Sequence, residues 1–148
     1  MANTIWEGAT RQALRARLAR LEPTTPARWG RLDAPGMVAH LTEAARMAHG
    51  DLQIPPANLP LRYYPIRKLV IHVLPFPKGA PTAKELLSRA PGNWVDDVRE
   101  LDRQIARFAS CAPDAPMPEH PAFGPLTYHD WGVLVYRHTD HHLSQFGV

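Results

Sequence analysis

Apolar side chains recur along this chain at spacings of three and four residues, the period of a helix buried along one side. A first stripe joins Ile5, Ala9, Ala13, Leu14, Leu18 and Leu21 and predicts a helix from about Ile5 to Leu21, ended by Glu22-Pro23. Thr24 to Leu32, with Pro26 and Trp29-Gly30, reads as a connecting loop with an aromatic anchor. Asp33 stands where an N-cap belongs and Pro35 in the first turn, so a second helix is predicted over Ala34 to Ala48, stopping near His49-Gly50. Its inward side groups Met37, His40, Leu41, Ala44, Met47 and Ala48, with His40 the one polar side chain of the stripe. His49, at the helix end, reads as a residue that complements the helix dipole.

The segment from Asp51 to Pro81 is rich in proline and apolar residues. Within it a short helix is predicted from Pro65 to Val73, with Ile66, Leu69, Val70 and Val73 as its stripe, followed by extended chain through Leu74-Pro75-Phe76-Pro77-Lys78-Gly79. So long a connection is expected to lie over a bundle as a crossover or lid and to wall a site. His72, with no partner at ligand spacing, is read as structural or solvent-facing. Thr82-Ala83-Lys84-Glu85 fits a capping box and predicts a third helical region, interrupted at Pro91-Gly92 and resumed by Trp94, Val95, Val98, Leu101, Ile105 and Phe108 as the longest helix. Cys111 to Pro125 is loop. Thr127 then caps a final helix, with Asp130 three residues on, whose inward face groups Trp131, Leu134, Val135, His138, His142 and Gln145. Asp140 and Tyr136 project away from that face. No β-alternation of useful length occurs. The expected fold is all-α: one domain over residues 1–148, a four-helix bundle with a long connection between its second and third helices.

Composition narrows the function classes. The net charge of +3 is small, and much of it sits in Arg11, Arg15, Arg17 and Arg20, which read as the solvated side of the first helix. With no basic run, RNA-binding signature or zinc finger, no nucleic-acid partner is expected. The single cysteine, Cys111, rules out an intramolecular disulfide and a Cys-rich zinc site, and no basic neighbour marks it as a nucleophile. The N-terminal stretch lacks a signal-peptide core and no run approaches the roughly 20 apolar residues of a membrane span. A cytoplasmic, membrane-free protein is expected. Asp96, Asp97, Glu100 and Asp102 form an ordinary charged helix face, with nothing that pairs carboxylates for acid–base work.

Chemistry gathers near the end of the chain. Five of the eight histidines fall between His120 and Val148, and His138 and His142 form a His-x-x-x-His pair. On a helix this step advances about 6 Å and turns about 40°, so both imidazoles leave one face and can converge on an ion. In a bundle the third ligand comes from a facing helix, and His40 is the inward histidine available. Three neutral imidazoles suit zinc, nickel or iron(II) and leave a position for water or substrate, whereas a structural zinc site is normally closed by a fourth protein ligand. His141 sits about 100° round the helix from His142 and is placed beside the ligands rather than among them. His120 reads as a loop-packing residue that could also approach the open end.

Met37-Val38-Ala39-His40-Leu41 together with His138-Thr139-Asp140-His141-His142-Leu143-Ser144-Gln145 resembles the DinB-like and YfiT-like superfamily of bacterial four-helix-bundle metalloproteins. The His-Pro-x-Phe-Gly and His-His-Leu-x-Gln-Phe-Gly runs look like an uncharacterised branch of it, and the resemblance extends to Arg28-Trp29-Gly30 and Pro77-Lys78-Gly79. It implies a divalent ion, zinc or nickel before iron or manganese, held at the positions of His40, His138 and His142. It also implies a small-molecule substrate, with low-molecular-weight thiols as cosubstrates in members of known chemistry. Where that superfamily usually has Arg-Gly-Gln after the paired histidines, this chain has Leu143-Ser144-Gln145. Three functions follow as expectations: a metal-dependent transferase or hydrolase, with His141, His120 and Gln145 as the residues next to the ligands; a metal-dependent small-ligand carrier or sensor; or a structural helical homodimer whose histidines fill a polar core edge.

Overall fold

The computed structural model of the chain describes residues 2–80 and 82–148. Five α-helices run in the order α1 (Gly8–Leu18), α2 (Ala34–Ala48), α3 (Ile66–His72), α4 (Trp94–Arg107) and α5 (Tyr128–Gln145), with short 3-10 turns at Pro60–Arg62, Lys84–Leu87 and Phe108–Ser110. No strand occurs among the described residues, where the one β-bridge joins His120 and Gly124. The fold is an all-α bundle in which α1 and α2 each pack against both α4 and α5. No described helix is long and apolar enough to cross a membrane.

Local chemistry sets the ends of the two helices that carry the histidines. Asp33 accepts a hydrogen bond from the Gly36 amide at 2.8 Å and caps α2 at the expected residue. Thr127 and Asp130 close a capping box on α5, each side chain taking the other's backbone N–H. Between these ends α2 is buried on nearly every side: Val38, Ala39, Thr42, Glu43 and Ala45 are buried beside the expected inward stripe, while Ala44 is half-buried. A helix enclosed this way holds its side chains, His40 among them, in fixed rotamers. Glu43, buried at the same level, is neutralised by Arg46 at 2.9 Å and Arg89 at 3.3 Å.

Several sequence expectations are corrected. Helix α1 is shorter than Ile5 to Leu21; Ile5 and Leu21 still join the core, whereas Ala9 and Ala13 face solvent. Its arginines are not simply solvated: Arg15 pairs with Asp102, and Arg17 bonds Asp140 at 2.6 Å, Ser144 and the Val148 carbonyl, tying α1 to the end of α5. The capping box expected at Thr82 does not form; the chain makes only the 3-10 turn Lys84–Leu87, and α4 starts at Trp94 under an Asn93 cap. Proline and glycine at 91–92 end the first piece instead of kinking one long helix. Helix α5, with 18 residues, exceeds the 14 of α4, and Val95, assigned to the inward stripe, is exposed.

The core has two parts. The larger centres on Trp131, Phe108, Met37, Leu14, Leu18, Leu101 and Leu143; a satellite of Ile71, Phe123, Val133 and Leu134 lies where α3 meets α5. Here the stripe assigned to α3 is largely reversed, since Ile71 is fully buried and, of the stripe, Val70 packs against the satellite while Ile66, Leu69 and Val73 are exposed. Gly132 leaves no room for a side chain: a Cβ there would sit on the Trp6 indole nitrogen, which donates to the Tyr128 carbonyl at 2.8 Å. Replacing Gly132 with alanine therefore sets about 1 kcal/mol of helix propensity gained against roughly 1–3 kcal/mol of overpacking. The expected outcome in chemical denaturation is a net loss of stability, with weakened near-UV signal from Trp6.

Candidate metal centre

Helix α2 brings His40 to His138 and His142 of α5, and the three sequence-predicted ligands meet. One ring nitrogen from each lies within 4.8 Å of the others. Nε2 of His40 and Nε2 of His138 are 3.1 Å apart. The three ring centroids form a near-equilateral triangle with sides of 5.1, 4.8 and 4.8 Å, each pair edge to face. Two nitrogens bound tetrahedrally to zinc at about 2.0–2.1 Å stand roughly 3.3–3.4 Å apart, close to the separation of the His40 and His138 nitrogens. Among the described residues no cysteine, aspartate or glutamate joins the cluster.

Hydrogen bonds behind the rings decide which nitrogen faces inward. Nδ1 of His40 lies 3.1 Å from the Leu86 carbonyl, an acceptor only, so it carries the proton and leaves Nε2 with a free lone pair. Nδ1 of His142 donates to Oε1 of Gln145 at 2.8 Å, with the same consequence. Gln145 is itself buried and fixed, its Nε2 donating to the Trp29 carbonyl at 2.7 Å. That contact requires Gly30: its φ is +82°, and a Cβ there would stand 2.6 Å from the amide nitrogen of Gln145. The loop at Trp29-Gly30, expected to be an aromatic anchor, thus also orients the His142 imidazole through two hydrogen bonds. His138 differs, because its described partner is Nε2 of His40; in the metal-free site its Nε2 carries the proton and donates it to His40.

All three imidazoles are shifted toward the neutral, metal-competent form. Burial lowers His40, and burial together with the neighbouring imidazoles lowers His138. Burial, then the proximity of His40, takes His142 down to about 4.

The other candidates separate clearly. His120 does not join the ligands: its Nδ1 accepts from the Ala122 and Phe123 amides at 3.1 and 3.2 Å while its ring packs against Trp131. Burial brings it to about 4, so it is a neutral loop-packing residue. His141 lies outside the triangle, its ring 5.3 Å from that of His142, between Trp29 at 5.7 Å and Phe76 at 6.0 Å. A pocket of about 200 Å³ opens there, lined by Phe76, Arg137, Asp140, His141 and Ser144. From the long 51–81 connection, Phe76 and Lys78, whose ammonium lies 4.5 Å from the Trp29 ring, reach this edge. Through Phe76 and Lys78 the segment contributes to one rim of the site.

Two arrangements went unforeseen because their members are far apart in sequence. His72 has a partner after all: its Nε2 donates to Asp130 at 2.7 Å, beside Lys68 at 2.6 Å. Burial alone would raise the Asp130 carboxyl, but bonds from Lys68, His72 and Thr127 hold it well below the usual range. Cys111 likewise has a base nearby, Nδ1 of His49 at 4.0 Å. Burial raises this thiol and lowers His49, which gives its Nε2 proton to the Gln104 carbonyl. The pair is a neutral thiol beside a neutral imidazole, so His49 adds no charge to the helix dipole and Cys111 is no thiolate.

Fold and site together define an all-α bundle protein with a three-imidazole cluster between two of its helices. The family model described as "Protein of unknown function (DUF1569)" matches residues 9–147, and the chain belongs to that family. No curated protein and no solved structure matches the chain significantly.

Depressed imidazoles carry a pH signature. In the unfolded chain these histidines take up protons near pH 6.5, whereas His120 and His142 do so in the folded chain only near 4. The unfolded state therefore binds more protons between those values, and stability falls as pH drops through that window. Thermal melts of metal-free protein are expected to show Tm declining from pH 7 to pH 4.5; a flat profile would contradict the buried neutral imidazoles.

Proposed function

We propose that the chain is a divalent-metal protein that holds zinc or nickel through Nε2 of His40, His138 and His142, with a position left for an exchangeable ligand. The observation behind this reading is the pair of backing hydrogen bonds, from Nδ1–H of His40 to the Leu86 carbonyl and from Nδ1–H of His142 to Gln145. Metal-ligating histidines usually bind a backbone carbonyl or polar side chain through the second ring nitrogen, and a histidine cluster that only fills a core edge has no need to aim lone pairs at a common point. Iron and manganese are the less favoured alternatives, given three nitrogen donors and no carboxylate. The DinB-like resemblance agrees with this assignment, with cytoplasmic residence and with a four-helix arrangement for the bundle.

The reading extends to catalysis. A bound ion at such a site supplies Lewis acidity, lowering the pKa of a coordinated water or thiol. Of the residues beside it, His141 is the one able to accept a proton: burial lowers its pKa, which leaves it neutral at pH 7, and no protein group occupies its ring nitrogens among the described residues. His120 is excluded as a base at Nδ1, which already accepts two amides. Gln145 is a positioning residue for His142. Because Cys111 is a protonated thiol in another part of the bundle, a thiol-dependent transferase would take its sulfur from a small cosubstrate. With water in place of the thiol, the same groups describe a hydrolase. The second reading, a metal-dependent carrier or sensor, uses the same ligands and differs only in the absence of turnover.

Metal analysis of untagged protein tests the site. The wild type is expected to hold about one zinc or nickel ion per chain and His138→Ala to bind at least ~100-fold more weakly. A wild type that is metal-free and refuses both added ions would overturn the assignment. Turnover of a low-molecular-weight thiol with an electrophile, abolished with the metal, then separates the enzyme from the carrier.

A further inference from the structure

The reversed face of α3 is an unusual surface. Nine large hydrophobic side chains are conspicuously exposed among the described residues, and seven lie between positions 59 and 74: Leu59, Tyr63, Tyr64, Ile66, Leu69, Val73 and Leu74, at 42 to 77% of full exposure. Ile66, Leu69 and Val73 are spaced as one side of a helix, with Tyr63, Tyr64 and Leu74 flanking it. The opposite side is already used, since Ile71 is buried against α5. The side of α3 with Lys68, Val70, Ile71 and His72 is engaged within the chain, which leaves the apolar side of Ile66, Leu69 and Val73 to a partner.

With side chains of roughly 150–250 Å², these exposures come to an area on the order of 700 Å². The largest apolar patch of a typical monomer is about 300–600 Å², and each side of a standard protein interface contributes about 800 Å². Charge is just as informative. The segment has no acidic residue, and its three cations are engaged within the chain. Arg62 faces Glu119 at 3.7 Å and the Pro121 carbonyl, Arg67 donates to the Pro125 carbonyl at 2.8 Å, and Lys68 binds Asp130. A surface built for anionic lipid or an acidic peptide would present these cations outward. Turned inward, they let two copies of the same face meet without unpaired like charge, as a two-fold interface demands.

We propose that the Leu59–Leu74 face is the interface of a homodimer, a second copy of this chain covering Ile66, Leu69 and Val73 through the same residues. The partner would also steady the segment that carries Phe76 and Lys78 to the rim at His141, although the dimer does not depend on a bound metal.

Sedimentation equilibrium of the full chain up to about 100 µM is expected to find a dimer, and Leu69→Glu, which puts two carboxylates into the apolar interface, to weaken it at least tenfold. Leu69 is 45% exposed, so the variant should keep the wild-type circular dichroism spectrum. Val73→Asp provides a second variant should the first misfold. A wild type monomeric across this range, or a dimer indifferent to both substitutions, would overturn the proposal. Monomeric wild type that floats with mixed phosphatidylcholine and phosphatidylglycerol vesicles would give the face to a lipid surface instead.

Discussion

Two hydrogen bonds made by the outer nitrogens of His40 and His142 determine what this bundle can do. An imidazole has one lone pair to give when neutral, and the proton on its other nitrogen decides where that lone pair points. The Leu86 carbonyl fixes the proton of His40, and Oε1 of Gln145 fixes that of His142. The first constraint comes from a distant part of the chain and the second from the residue three positions on along α5. Leu86 is held beside α2 with help from the Arg89–Glu43 pair, and Gln145 is clamped by the Trp29 carbonyl above a glycine that cannot be enlarged. The enclosure of α2, the 3-10 turn Lys84–Leu87 and the Trp29-Gly30 loop thus converge on one outcome, two nitrogens aimed at the same point.

How far this was legible in the sequence follows from the range of each interaction. His138 and His142 could be read because helical geometry is local and a four-residue step fixes their relation. His40 followed because it interrupts an apolar stripe. The caps at Asp33 and Thr127 were equally local. The Leu86 carbonyl could not be read, since every residue carries one and only the turn that the chain makes after Pro81 brings this one to His40. His72 with Asp130, and His49 with Cys111, are separated by 58 and 62 positions and depend on helix packing that no spacing encodes. The outward face of α3 misled for a different reason. Periodicity identifies a stripe but not the side the core lies on, and the polar residues of α3, Arg67, Lys68 and His72, are drawn inward to the Pro125 carbonyl and Asp130 instead of marking a solvent face.

The satellite core beneath α3 links these parts. Asp130 caps α5 and at the same time binds Lys68 and His72 of α3, while Arg137, about two turns further along α5, donates to the Val70, Ile71 and Leu74 carbonyls at the end of α3. The long connection is therefore fastened to the histidine-bearing helix at two levels, and its extended continuation delivers Phe76 and Lys78 to the rim beside His141. Its outer face is left apolar, which places the exposed hydrophobic surface and the rim of the candidate site on one continuous segment.

The central claim is that the ligand nitrogens are set before any ion arrives, and imidazole tautomers in the metal-free protein test it most directly. Long-range proton–nitrogen NMR correlations distinguish a protonated ring nitrogen from one with a free lone pair. His40 and His142 are expected as Nδ1–H tautomers with unprotonated Nε2, and His138 as the Nε2–H tautomer, which would have to shift its proton to Nδ1 to take the proposed ion. Protons on Nε2 of both His40 and His142, or rapid tautomer averaging in all three rings, would contradict the account.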